Sequence, residues 1–363
     1  MKLIVQAYDY GRIGGIASYL NGFLHNLPKN VELVLITADN SGIEKIKPKN
    51  IKIIKIPFKI NFFGKIAWGK KCRKEVAKLQ KSGFDKCIIH IPPLLPNLFQ
   101  QKGVEYILTA HSTYKGQSEE LYKKKHTKSN MSTIEKNIRI FLEKKLFRKA
   151  KRIITLTKQG EFELEHYGVK KEKISIIPNG VDSNNFKTKK LTKKYDILFA
   201  GRLTIKKGSK ALVKLCEELK DKKIVIVGEG EEYKNVKKSL EKYSNIEILG
   251  KVKYEEISKY YDISKIYVST SYHEGLPGTC MEAMSMNLPV VVWDFQFYDS
   301  LITNGKEGYK INPNDFEEMK NKIDFLLKNK KSRTEMGNAG RKKVIKNFNW
   351  KTISNNICKA VEK

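Results

Sequence analysis

Asp196-Ile-Leu-Phe-Ala-Gly-Arg-Leu-Thr-Ile-Lys-Lys-Gly208 decides the fold. A short apolar run of strand type stops at a glycine, passes through a loop carrying Arg202 and Lys207, and a second glycine opens an amphipathic stretch at 209–219. That is a strand, a loop and a helix in the order that a parallel α/β sheet repeats. Downstream the unit recurs, with strand patterns at 223–227, 246–249, 266–269 and 289–293 and helix patterns at 231–243, 254–261 and 279–285. Upstream lies an independent series, with strands at 2–8, 31–37, 51–56, 87–91, 106–110, 152–155 and 174–177 and helical patterns at 16–27, 65–80 and 132–149. A lysine-rich polar stretch at 183–194 separates the two series. Two Rossmann-like βαβ domains follow, 1–190 and 191–349, facing each other across a cleft, with the closing segment 350–363 expected to pack back on the first.

Composition agrees with two cores. The chain has 363 residues, 40% of them apolar, too many for one core and too apolar for disorder. No apolar run reaches the length of a membrane span, and the opening Met1-Lys-Leu-Ile-Val-Gln-Ala-Tyr8 enters a strand rather than a signal core, so a cytoplasmic chain is expected. Five scattered cysteines (Cys72, Cys87, Cys216, Cys280, Cys358) form no C-x-x-C pair and read as small buried hydrophobes. The formal net charge of +32 attracts polyanions, whether nucleic acid, anionic lipid or phosphorylated ligands, or it decorates solvated faces. No recognised nucleic-acid module accompanies it, and the basic residues are spread through the βα pattern, which disfavours a nucleic-acid-binding protein.

Ligands of open parallel sheets bind beyond the carboxyl ends of the strands, and four loops there carry phosphate-type chemistry. Asp9-Tyr-Gly-Arg-Ile-Gly-Gly15 places adjacent Gly14 and Gly15 where backbone N–H groups approach a phosphate without a Cβ between them, although it is not a G-x-G-x-x-G fingerprint. In the quoted loop, Arg202 offers a planar fork of donors and Lys207 a compact charge, a pairing suited to a diphosphate. Val227-Gly-Glu-Gly230 permits close approach of a ligand, or simply a tight turn. In Glu274-Gly-Leu-Pro-Gly-Thr-Cys-Met-Glu282, Pro277 suits the first turn of a helix, Glu274 precedes it, and Glu282 lies one to two turns inside. Two carboxylates so spaced can bind two hydroxyl-bearing parts of one ligand, with the helix start favouring phosphates between them; a capping acid and a surface acid are the plain alternative.

Taken together, Gly14-Gly15, Pro178-Asn-Gly-Val-Asp182, Gly201-Arg202 with Lys207-Gly208, Val227-Gly-Glu-Gly230 and the E-x7-E pair Glu274 and Glu282 resemble the retaining GT-B glycosyltransferases of family 4, in order and separation across nearly the whole chain. The resemblance implies a nucleotide-diphosphate sugar as donor, no cofactor and no metal, and retention of anomeric configuration. It places Arg202 and Lys207 on the diphosphate, Glu282 on the ribose, Glu274 on the sugar with Gly275 and Leu276 nearby, and Gly15 opposite the diphosphate. His111, in Leu108-Thr-Ala-His-Ser-Thr113, matches a histidine that reaches the donor sugar, so His111 and Glu274 are the catalytic candidates. One departure stands out: where many relatives carry a glycine pair and an acid, this chain reads Trp293-Asp-Phe-Gln-Phe-Tyr-Asp-Ser300, with Asp299 in the place of the acid. The family mechanism is front-face attack in which the leaving phosphate helps take the acceptor's proton; no DxD pair and no zinc-type spacing points elsewhere.

Two stretches bear on the acceptor. Residues 58–74 mix four large aromatics with six basic residues, and the helical pattern at 132–149 sets Ile134, Ile138, Phe141 and Leu142 on one face beside Lys136, Arg139, Lys144 and Lys145. Such surfaces lie on anionic membrane, or their apolar stripe packs on the sheet. The expected function is sugar transfer to a glycan acceptor in cell-surface polysaccharide synthesis. A polyprenyl-phosphate-linked acceptor at the inner membrane face and a small soluble acceptor both remain open.

Overall fold

In the computed structural model, residues 1–7, 15–38, 51–59, 61–91, 94–116 and 133–363 are described. They form two compact units. Everything described up to Asn179, together with Trp350–Lys363, makes the first; Gly180–Asn349 makes the second.

The first unit holds seven parallel strands: β1 (Lys2–Gln6), β2 (Glu32–Ala38), β3 (Ile51–Ile56), β4 (Lys86–Ile91), β5 (Glu105–Ala110), β6 (Arg152–Thr155) and β7 (Ile174–Ile176). They lie in the order β3-β2-β1-β4-β5-β6-β7. β2 is buried from Leu33 onward and β1 from Leu3 onward, as strands covered on both faces must be. Helices α1 (Gly15–His25), α2 (Phe62–Gln80), α3 (Thr133–Lys149) and α4 (Lys158–Glu165) accompany the sheet. One core cluster joins Val34, Ile36, Trp68, Cys72, Val76, Ile89, Leu108, Leu146 and Phe147.

The second unit holds six parallel strands: β8 (Tyr195–Ala200), β9 (Ile224–Val227), β10 (Ile246–Gly250), β11 (Ser264–Ser269), β12 (Val290–Trp293) and β13 (Gly308–Ile311), ordered β10-β9-β8-β11-β12-β13. Its helices are α5 (Ser209–Glu218), α6 (Tyr233–Leu240), α7 (Tyr254–Asp262), α8 (Gly278–Ser285), α9 (Phe316–Lys328) and α10 (Lys330–Asn347). The core gathers Phe199, Leu212, Leu215, Ile226, Val268, Val291, Trp293, Met319 and Ile323. The strand order reverses direction between β8 and β11, and that switch point is where loops diverge and leave a crevice.

The last helix, α11 (Trp350–Glu362), belongs to the first unit. Trp350 lies so close to Gly22 of α1 that a Cβ there would stand 1.9 Å from the indole, and Ser354 Oγ donates to the Phe23 carbonyl at 3.3 Å. Lys86 Nζ donates to the Val361 carbonyl at 3.0 Å, closing the far end of the helix onto β4.

Candidate active site

In the second unit, the loops that leave β8 and β11 at the switch point are stitched together by main-chain and hydroxyl contacts. The Tyr272 N–H donates to the Lys206 carbonyl at 3.1 Å, and Thr270 Oγ1 donates to the Gly208 carbonyl at 3.1 Å. Gly208 has φ +73°, and a Cβ on it would fall 1.9 Å from the Thr270 carbonyl oxygen, so both the turn and the close approach demand glycine. Thr204 caps the short 3-10 turn that follows, its Oγ1 accepting from the Lys207 N–H at 3.3 Å. The Val227-Gly-Glu-Gly230 turn braces the same loop from the other side: a Cβ on Gly228 would sit 1.9 Å from the Gly201 carbonyl, and the Leu203 N–H donates to the Glu229 carbonyl at 3.0 Å. Here the glycines serve loop packing.

This stitching brings Lys207 and Glu274 into an ion pair and hydrogen bond, with side chains 18% and 12% exposed. Burial pushes the Glu274 carboxyl up, but the Lys207 ammonium beside it, with Lys206 and Ser271 adding to the effect, holds it below the usual range. Gly275, next in the chain after Glu274, is half-buried, and Leu276 is buried. Arg202 stands exposed on the loop with no ion pair among the described residues. Pro277 sits at the N-cap of α8, one position before the first turn expected for it, and the helix starts at Gly278.

Glu282 lies on α8 and accepts from Tyr261 Oη at 2.8 Å through Oε2; Tyr261 Oη also reaches the Thr279 carbonyl at 3.2 Å, and Tyr267 Oη and Thr279 Oγ1 are 2.8 Å apart. Burial raises the Glu282 carboxyl to about 7, against the smaller opposing effect of the Tyr261 hydrogen bond. A carboxyl so poised gains from any ligand that brings hydroxyl donors, because they favour the ionised form. Asp299 turns away from this group: its carboxylate meets Lys310 of β13 at 2.8 Å, and Asp294 meets the same ammonium at 2.9 Å. The loop between them is filled by rings, Phe295 stacked on Phe297 at 5.4 Å and Tyr298 Oη donating to Ser269 Oγ at 3.0 Å.

In the first unit, Gly14 lies outside the described residues. Gly15 opens α1, exposed, with nothing within 4 Å of where a Cβ would stand. His111 follows β5 directly and is half-buried, its Nε2 3.1 Å from Nδ1 of His90 on β4. Burial lowers it to about 4, so the ring is neutral at pH 7. Sequence reasoning missed His90, Tyr261 and Tyr267. His90 sits inside an apolar strand run, one residue before its end, and Tyr261 and Tyr267 read as ordinary core, although the register of β4 on β5, which sets His90 opposite Thr109, carries the signal once pairing is known. Among the described residues, no group of three or more His, Cys, Asp or Glu side chains is arranged to hold a metal ion.

Two Rossmann-like parallel sheets, the second with a basic and an acidic loop paired at its switch point, make up the fold, and comparison with known proteins gives the family. A model described as Glycosyltransferase Family 4 matches residues 13–185, and one described as Glycosyl transferases group 1 matches 181–343. The chain belongs to this glycosyltransferase family and is a glycosyltransferase. It is 31% identical to an uncharacterized glycosyltransferase of Methanocaldococcus jannaschii over 57% of this chain and 57% of that relative's own length. A second uncharacterized glycosyltransferase of the same organism matches over 100% of this chain and 98% of the relative at 24% identity. Among solved structures, sucrose-phosphate synthase from Thermosynechococcus elongatus superposes with a TM-score of 0.81, at 18% identity over 99% of this chain and 97% of that one. HepE of Anabaena, solved in complex with UDP and glucose, gives 0.76 at 16% identity over 100% of both chains. At such identities these two structures show the GT-B fold alone.

Proposed function

We propose that the chain transfers a sugar, with retention of configuration, from a nucleotide-diphosphate sugar to a lipid-linked glycan acceptor in cell-surface polysaccharide synthesis. The observation that carries the donor part is the stitched loop pair at the switch point of the second sheet, which sets Lys207, on the same loop that carries Arg202, against Glu274. Arg202 and Lys207 take the diphosphate and stabilise the charge that develops on it as the glycosidic bond breaks. Glu274, kept ionised, binds a hydroxyl of the sugar, and Glu282 takes the ribose hydroxyls. His111 reaches the sugar as a neutral ring. The complex of HepE with UDP and glucose supports a uridine donor. Those cations already meet the diphosphate charge, so no metal is required.

The acceptor part rests on surface chemistry. The face of α3 that packs on the core carries Glu143, Leu146 and Phe147, whereas Ile134, Ile138 and Phe141 are 74%, 53% and 64% exposed, so their stripe is not the one that meets the sheet. Leu142, expected on that same stripe, is half-buried against the core. Exposed Lys144, Lys145, Arg148 and Lys149 border the stripe. Phe58, ahead of α2, and Trp68 within it are buried, but Phe62 and Phe63 at the start of α2 stand out, and Lys70, Lys71, Arg73 and Lys74 further along the same helix are exposed. Apolar rings amid lysines suit the headgroup layer of an anionic membrane, and no described helix is long and apolar enough to cross one. Turnover of a panel of UDP-sugars with polyprenyl-phosphate-linked and soluble acceptors tests the reading. Transfer to the soluble acceptors alone moves the enzyme off the membrane.

A further inference from the structure

β4 and β5 run in register, with His90 opposite Thr109. Registered residues of a parallel pair share a face, and residues two apart on one strand share it too, so His90 and His111 project the same way. Their rings stack at 5.4 Å with 25° between planes, Nδ1 of His90 lying 3.1 Å from Nε2 of His111. Tyr19 of α1 closes edge-on against both, at 5.5 and 4.9 Å, and Trp350 of α11 stands edge-on to Tyr19 at 5.4 Å. The main chain at His90 is held as firmly. Asn97 Nδ2 donates to the His90 carbonyl at 3.0 Å, and Gln6 Nε2 donates to Asn97 Oδ1 at 3.1 Å.

A contact of this length between two ring nitrogens is a hydrogen bond when one of them carries a proton and the other is bare. Burial lowers both rings, His90 well below the usual range and His111 to about 4, so each is neutral and carries one proton. Nε2 of His90 is buried with no hydrogen-bond partner among the described residues. If His111 supplied the shared proton, His90 would carry its own on Nε2, an orphaned N–H in the interior, which is the rarer and costlier arrangement. If His90 supplies it from Nδ1, only a bare nitrogen is buried. We propose that His90 is a positioning residue that, by donating from Nδ1 to Nε2 of His111, holds His111 as its Nδ1–H tautomer and offers that N–H to the ligand. The ring's orientation and its donor are then set before the sugar arrives. This inference rests on the reading of His111 as the group that reaches the donor sugar.

The test is long-range 1H–15N correlation on the full-length protein labelled with 15N-histidine, read for the wild type, His90→Asn and His90→Leu, with His111→Ala giving the assignment. An asparagine amide can place an N–H where Nδ1 of His90 lies. The wild type and His90→Asn should show His111 protonated on Nδ1, and His90→Leu should show it protonated on Nε2. In parallel, turnover of UDP-glucose, UDP-galactose and UDP-N-acetylglucosamine is followed. His90→Leu should lower kcat roughly tenfold with little change in KM, about the worth of one buried hydrogen bond. His90→Asn should restore most of that loss, and His90→Leu should add nothing on a His111→Ala background. A wild-type His111 protonated on Nε2, or losses that add in the double variant, overturns the proposal. If His111→Ala turns over like the wild type, the reading of His111 fails instead, and the spectra alone decide the His90 contact.

Discussion

Replacing Glu282 by Gln keeps an acceptor for the Tyr261 hydroxyl and removes only the ionisation. Burial raises this carboxyl from its reference value of 4.5 to about 7 in the folded protein. The folded state therefore binds more protons than the unfolded chain between those values, and stability falls as pH rises through that window. Glu282 costs nothing below the unfolded value, and above the folded one its penalty is on the order of 3 kcal/mol, from 1.36 kcal/mol for each of the roughly 2.5 units. Urea unfolding of both proteins from pH 4 to pH 9 reads it. Glu143, raised by burial to about 8, shapes both profiles alike, so the difference between them isolates Glu282. The glutamine variant should match the wild type at acid pH and exceed it by a growing margin toward pH 8. It should also bind UDP roughly ten- to a hundredfold more weakly, because a charged acceptor for the ribose hydroxyls is lost. A stability difference that does not change with pH refutes the reasoning.

Four further outcomes follow from the same geometry. Arg202→Ala should lower turnover by one to several orders of magnitude with an unchanged unfolding midpoint, since the guanidinium is exposed, whereas Lys207→Ala should also lower the midpoint because it strands the Glu274 carboxylate; donor-limited kinetics and thermal melts separate the two. EDTA should leave turnover largely intact, and rescue of a chelated enzyme specifically by manganese contradicts the cation reading. Gly208→Ala should destabilise the second unit by more than about 1 kcal/mol in urea unfolding, because its Cβ meets the Thr270 carbonyl at a left-handed φ. Sedimentation with anionic vesicles should show binding at low salt that fades at high salt and weakens when Lys70, Lys71, Arg73 and Lys74 are neutralised together; indifference to anionic vesicles removes the support for a lipid-linked acceptor.

The sheets were legible because fully covered parallel strands are written as unbroken apolar runs: β3 and β6 fall on the expected residues, and most of the other expected strands within one or two. β13 was not, because Gly-Tyr-Lys-Ile is short, lies at the sheet edge and carries a charged residue, Lys310, which pairs with Asp294 and Asp299. α4 was hidden for a similar reason, with eight residues and little apolar periodicity. The acidic and basic site residues were visible as types at spacings, yet the ion pair between Lys207 and Glu274 joins positions 67 residues apart and depends on which strands are neighbours. Burial was the least readable property. The sequence puts Ile134, Ile138 and Phe141 on one helical stripe, and only the packing of Leu146 and Phe147 shows that another face meets the core.

The most direct measurement is the anomeric configuration of the product. The enzyme is incubated with a UDP-α-sugar and an acceptor that supports turnover, and the new linkage is read by NMR coupling constants beside the release of UDP. An α-linked product, formed one for one with UDP and lost in Glu274→Gln and Arg202→Ala, is the predicted result. A β-linked product, or an α-linked one formed at the wild-type rate by both variants, contradicts the account.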